Sequence, residues 1–292
     1  MLGLSYAPWC LVANKDRGTG CHSVVWRLVM SPFRAIAFFP IGVFALLIIL
    51  GLDSVAYADE ELGLWTHAVA RGDMKQLDQL MDRGFRDVDQ ATLSGKTALM
   101  MAARYGDWPL FQRLVKSGAS IHLSNNKGGT ALMYAVVGAN PNIVRLCLDI
   151  GAEVNAAASN GWTALYFAAA KGYGEIVSLL LSKGADPDVA DIYGWTPLMR
   201  AVEGQRRRVV RLLLDRTAVD VTASNQRGAT AAHWAASSGS EEVIVWLAQA
   251  GVDLTRLDRD GRSVGDYARE GGYPALAHSI ESGAISTSPA NQ

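Results

Sequence analysis

The chain has 292 residues, 50% of them hydrophobic and 19% charged, with a formal net charge of −1. This near-neutral balance excludes the basic excess with which a nucleic-acid binder neutralises phosphates, so no nucleic-acid partner is expected. Three cysteines, Cys10, Cys21 and Cys147, supply neither a disulfide framework nor a zinc-type spacing.

Residues 1–29 precede a segment that already reads as a complete export signal from Met30, where Met30-Ser31-Pro32-Phe33-Arg34 forms a short basic start. The chain is therefore expected to begin at Met30, with 1–29 a mis-assigned extension; a long cytoplasmic leader is the alternative. An uncharged run of 18 residues, Ala35–Leu52, follows, and then Ala56-Tyr57-Ala58 in the small-x-small pattern. This order predicts a signal peptide over 30–58, cleaved after Ala58 and ahead of Asp59. The run is longer than the roughly 7–15 apolar residues of an ordinary signal and matches the roughly 17–25 of a spanning helix. Two readings stand. Cleavage releases the remainder to the periplasm or the medium; retention leaves an inner-membrane anchor, with membrane contact through 35–52 alone and the rest in the periplasm. Pro40 and Gly42 interrupt a continuous helix and favour cleavage. Loss of 1–58 removes four basic and two acidic residues, taking the formal charge from −1 to −3. Cys147 then remains, in a Leu146-Cys147-Leu148 setting that predicts burial as a small core residue.

From Leu62 onward the chain repeats itself. Gly-x-Thr returns at Gly95, Gly128, Gly161, Gly194 and Gly228, and as Gly261-Arg262-Ser263, in steps of 33, 33, 33, 34 and 33 residues. Five residues after each Thr or Ser lies Ala102, Ala135, Ala168, Ala201, Ala235 or Ala268, and a later Gly closes most units. The first Gly suits a tight turn. Thr caps a first helix whose small Ala column permits close helix approach. Asp107, Asn140 and Ser240 cap second helices, with Pro or acids in the first turn, and Gly stops each one. The expected domain spans 59–283, in units 62–94, 95–127, 128–160, 161–193, 194–227, 228–260 and 261–283. Residues 284–292 are expected to form a disordered tail. Thr217 replaces the stopping Gly in the fifth unit, which predicts a local irregularity.

The segment Gly161-Trp162-Thr163-Ala164-Leu165-Tyr166-Phe167-Ala168-Ala169 and the run Ile176–Asp186 resemble the ankyrin-repeat consensus nearly residue for residue. The resemblance implies an all-α repeat solenoid of ankyrin helix-turn-helix units joined by β-hairpin loops. With the export signal, a bacterial member of exported or periplasmic type is expected.

The four histidines beyond residue 58 fall in different columns, and no catalytic or phosphate motif occurs. No enzyme, cofactor or metal is expected. The resemblance implies that His233 bonds neighbouring loop backbone. Asp186, Asp188 and Asp191 read as a solvated hairpin, and Arg206, Arg207, Arg208 and Arg211 as a solvated helix start. By resemblance, partners meet the concave face, formed by hairpin tips and the exposed side of the first helices. The candidate partner-binding residues there are Lys96, Met101, Tyr134, Trp162, Phe167, Ile192, Tyr193, Trp195, Arg200 and Trp234, with a central cluster of Trp162, Phe167, Tyr193, Trp195 and Arg200. Trp195→Ala is expected to weaken binding and leave the melting temperature nearly unchanged. The expected role is a monomeric, non-enzymatic module in the cell envelope that binds or protects an exported protein; the alternative is an immunity protein or inhibitor of an exported toxin or enzyme.

Overall fold

A computed structural model of the chain describes residues 60–216 and 219–285. The extension over 1–29, the signal segment with Ala56, Ala58 and Asp59, the irregularity at Thr217 and the tail from 286 lie outside the described residues. Fourteen helices run among the described residues. They pair in chain order as α1 (60–71) with α2 (Met74–Asp82), α3 (Ala98–Tyr105) with α4 (Trp108–Lys116), and α5 (Ala131–Val137) with α6 (Pro141–Asp149). Next come α7 (Ala164–Lys171) with α8 (Gly174–Ser182) and α9 (Pro197–Glu203) with α10 (Arg207–Arg216). The last pairs are α11 (Ala231–Ser237) with α12 (Glu241–Gln249) and α13 (Val264–Glu270) with α14 (Pro274–Glu281). No strand forms among the described residues, only isolated antiparallel bridges such as Ser124 with Thr130 and Ser224 with Thr230. The architecture is an all-α repeat solenoid with short hairpin loops.

Five first helices, α3, α5, α7, α9 and α11, start where the sequence places a Thr, and α13 starts on Ser263. Thr97, Thr130, Thr163 and Thr196 hold extended backbone, and each hydroxyl accepts the N–H three residues on, at 3.2–3.4 Å. A cap of this kind contributes about 1 kcal/mol. At the fifth start His233 joins in: its Nδ1 accepts the Thr230 N–H at 3.1 Å and lies 3.0 Å from the Thr230 hydroxyl oxygen. Second helices open on Asp107, which accepts from the Leu110 N–H, and on Asn140, which accepts from Asn142 and Ile143. Ser240 departs from the expectation. It occupies the cap position of α12, but its hydroxyl pairs with that of Ser238 at 3.0 Å, and Glu241 and Glu242 supply the acidic first turn.

The core sits between the two helix rows. Ala102, Ala135, Ala168, Ala201, Ala235 and Ala268 are all fully buried, and with no side chain beyond Cβ they let successive first helices pack backbone to backbone. Second helices bury one stripe each, such as Leu110, Phe111 and Leu114 in α4, or Ile143, Val144 and Cys147 in α6. Each large side chain buried this way contributes about 1.5–3 kcal/mol. Trp65 closes the N-terminal end, fully buried and stacked on Phe85 at 4.5 Å.

The turn between paired helices needs a left-handed residue. Glycine fills it at most units, but Ala139 and Gln205, both exposed, hold it at φ 54°. Three of the four arginines of the densest basic segment engage neighbours: Arg206 Nε donates to the Ala170 carbonyl, Arg207 pairs with Glu242, and Arg211 pairs with Asp215 and lies over Trp246.

Candidate functional site

The hairpins that project from the helix rows are built around one acceptor. Asn125, Asp191, Asn225 and Asp258 stand five residues before the capping Thr or Ser, and each Oδ1 accepts two backbone N–H groups, two and four residues on, at 2.8–3.2 Å. That double acceptance folds the tip into an Asx-type turn. Ala158 occupies the same place in one hairpin, and there Asn160 Oδ1 accepts the Trp162 N–H instead, at 3.2 Å.

Successive hairpins then stack backbone on backbone. The N–H of Asn126, Ser159, Ile192, Gln226 and Arg259 donates to the carbonyl of Ser94, Lys127, Asn160, Tyr193 and Arg227 respectively, at 2.8–3.1 Å. The contact is so close that a Cβ on Gly161, at φ +83°, would stand 2.8 Å from the Asp191 Cα. The tips are therefore a continuous ladder that fixes the side chains they carry.

Asp191 does more than turn the chain. Far from solvated, its side chain is 1% exposed, and its Oδ2 accepts the Tyr166 hydroxyl at 2.6 Å and the Arg200 guanidinium at 3.1 Å. Arg200 Nε also donates to the Tyr166 hydroxyl, and Arg200 pairs with Glu203 at 3.1 Å. Burial alone pushes the Asp191 carboxyl up, but hydrogen bonds from Tyr166, from the N–H groups of Trp195 and Tyr193 and from Arg200 outweigh it and hold it below the ordinary carboxylate range. Burial and the bond to Asp191 raise the Tyr166 phenol. The same device recurs at Asp258, whose Oδ2 accepts the Tyr267 hydroxyl at 2.9 Å and Arg262 at 2.8 and 3.0 Å. Burial opposes, yet the Arg262 N–H, the Tyr267 hydroxyl and the Arg262 side chain bring Asp258 down to about 2. Burial lowers His233, opposed by Asp258 and by the backbone of Arg256 and Arg262.

The expected aromatic cluster is split in two by the Asp191 network. On one side a cleft of about 500 Å³ lies between Tyr134, Trp162 and Phe167, with Arg104 and Lys127 at its rim. Trp162 stacks on Tyr166 at 5.3 Å and meets Phe167 edge-on at 5.0 Å, while the Tyr134 hydroxyl accepts from Asn125 at 2.9 Å. On the other side a cleft of about 300 Å³ is lined by Tyr193, Trp195, Arg227 and Trp234.

A family model described as ankyrin repeats in three copies matches residues 64–158, 99–191, 138–225 and 186–258. The chain belongs to the ankyrin-repeat family. Ankyrin repeats are generic modules of protein–protein interaction and their family is typically non-enzymatic. No curated protein matches this ankyrin-repeat chain. Among the described residues no group of three or more His, Cys, Asp or Glu is arranged so that it could hold a metal ion, and no helix is long and apolar enough to cross a membrane.

Within the ankyrin face the sequence-predicted residues fall into three groups. Ile192 and Tyr193 stand in the open at the tip, 53% and 58% exposed. Lys96, Tyr134, Trp162, Phe167, Trp195, Arg200 and Trp234 are half-buried. Met101 is a correction. It is 3% exposed and packs within the hydrophobic core, because the neighbouring repeat covers this position. Trp195 also packs more tightly than its tip position implies, against Trp234 at 4.6 Å and under Arg200 at 4.1 Å, so little change in stability on its removal is no longer expected. Asn125, Asp191, Asn225, Asp258 and Tyr166 were missed. The signal was present, since the Asx column keeps phase with the Thr column.

Proposed function

We propose that this chain is an exported, non-enzymatic binding module of the bacterial cell envelope that holds or protects a protein partner on its hairpin and first-helix face. The reading rests chiefly on one arrangement: two aromatic-walled clefts on that face flank the exposed Ile192–Tyr193 tip. Aromatic side chains fixed by a rigid ladder present large contact area with little conformational entropy left to lose on binding. Export rests on the sequence of residues 30–59, with release after Ala58 and an inner-membrane anchor as the competing outcome.

The test is photo-crosslinking in living cells, with a benzophenone side chain placed at Tyr193 or, as control, at Glu175 on α8. A discrete protein adduct from Tyr193 alone is expected; adducts of equal yield, or none from Tyr193, overturn the assignment of the face. Fractionation of the same cells with N-terminal sequencing should recover a periplasmic chain beginning at Asp59. A cytoplasmic chain with an intact leader overturns export. If the captured partner is a toxin or enzyme that loses activity in the adduct, the role is inhibition rather than protection.

A further inference from the structure

The two clefts share an electrostatic feature that aromatic content alone does not require. Each joins an aromatic wall to hairpin or helix cations, Arg104 and Lys127 in the larger and Arg227 in the smaller, and neither is lined by a carboxylate. These three cations are exposed, and the ion pairs among the described residues involve other groups. Nearby acids are already committed: Asp191 and Glu203 hold Arg200, while Asp258 and Asp260 hold Arg262. The charged side chains that line the two clefts are therefore all cations, although the chain as a whole carries −1. A ligand that brought cations there would meet repulsion with no carboxylate in the lining to relieve it.

Resting on the interaction reading above, we infer that the partner segment is an acidic stretch of polypeptide bearing two bulky apolar side chains, one for each cleft. The larger cleft lies between the units that begin at Gly128 and Gly161, and the smaller between those that begin at Gly194 and Gly228. They are two repeat steps apart. Helices pack at about 8–10 Å between axes, so the clefts are roughly 16–20 Å apart. Extended chain covers that span in about six residues. The carboxylates sit between and beside the two anchors, within reach of Lys127 and Arg227.

The experiment titrates the purified full-length chain into two fluorescein-labelled peptides and follows anisotropy. Both carry leucines about six positions apart; one has Glu at the intervening positions and the other Lys. The Glu peptide is expected to bind about tenfold or more tightly than the Lys peptide, and less tightly as salt is raised. The double variant Lys127→Glu, Arg227→Glu should reverse the preference while its thermal melt stays that of the parent, since neither side chain is ion-paired. Equal binding of the two peptides, binding of neither, or an unchanged preference in the double variant overturns the inference. The interaction reading fails separately: if crosslinking from Tyr193 captures a partner while the peptides show no charge preference, the surface stands and only the acidic ligand falls.

Discussion

The guanidinium of Arg200 lies over the ring of Trp195, 4.1 Å from its centroid, and Trp234 packs on the same ring at 4.6 Å with a tilt of 34°. The same guanidinium is held there by its hydrogen bonds to Asp191, Tyr166 and Glu203. A hairpin-tip side chain is thereby tied to two first helices and to a buried carboxylate. The wall of the smaller cleft is part of the joint between repeats.

Trp195→Ala should therefore cost stability as well as binding. Loss of a half-buried ring, its aromatic partner and its cation contact amounts to about 2–3 kcal/mol. Tyr193→Ala, two residues away and 58% exposed, should stay within about 0.5 kcal/mol. Urea denaturation separates the two; an unchanged midpoint for Trp195→Ala would show that the ring adds no packing.

Asp191 carries two separable duties. Asn keeps the turn acceptor, as Asn125 and Asn225 show at the same place in other hairpins, but its Nδ2 can accept from neither Tyr166 nor Arg200. Asp191→Asn is expected to cost about 1–3 kcal/mol, and Asp191→Ala more, because the N–H groups of Tyr193 and Trp195 then lose their acceptor too. Equal losses in thermal or urea melts would mean that the turn acceptor contributes nothing.

Acid should unfold the solenoid earlier than its net charge suggests. The Asp258 carboxyl sits at about 2, against 3.8 for the free group, so its contribution is fully present above about pH 4 and is lost as pH falls toward 2. Asp191, also lowered, acts in the same sense. His233 adds to it from higher pH, since burial lowers its pKa below 6.5 and protonation favours the unfolded chain. Stability measured from pH 7 to pH 2 should fall in both stretches, and Asp258→Asn should flatten the lower one. A pH profile identical to the parent's would sink this assignment.

Gln205 holds φ 54° with an exposed side chain, in a turn where other units use glycine. Gln205→Gly removes the left-handed penalty and should raise stability by about 1 kcal/mol, and Ala139→Gly should act alike. A lowered melting temperature for both would show that the entropy lost from the unfolded chain outweighs the relief.

Cys147 is fully buried, and burial pushes its thiol up to about 12. A thiol reagent at neutral pH should label the folded chain at Cys147 only as fast as α6 opens, and labelling should accelerate steeply with urea. Prompt stoichiometric modification of Cys147 in the folded chain would contradict the packing of α6.

The period of the chain alone determined the solenoid. A Gly-x-Thr step of 33 residues, an Ala column and Thr caps are local signals, and each acts through its own backbone turn or helix start. The columns that make up the proposed binding face were legible for the same reason, since tip and first-helix positions follow from phase. The fate of each side chain on that face was not. Met101 and Phe167 share a column, yet one is core and the other lines a cleft, because burial there depends on what the next repeat presents. The division of the aromatic surface came from Asp191, Tyr166 and Arg200, residues up to 34 positions apart that the stacking of hairpins brings within hydrogen-bond reach. Only the tertiary structure decided which charges pair with one another and which line the clefts without an ion-pair partner.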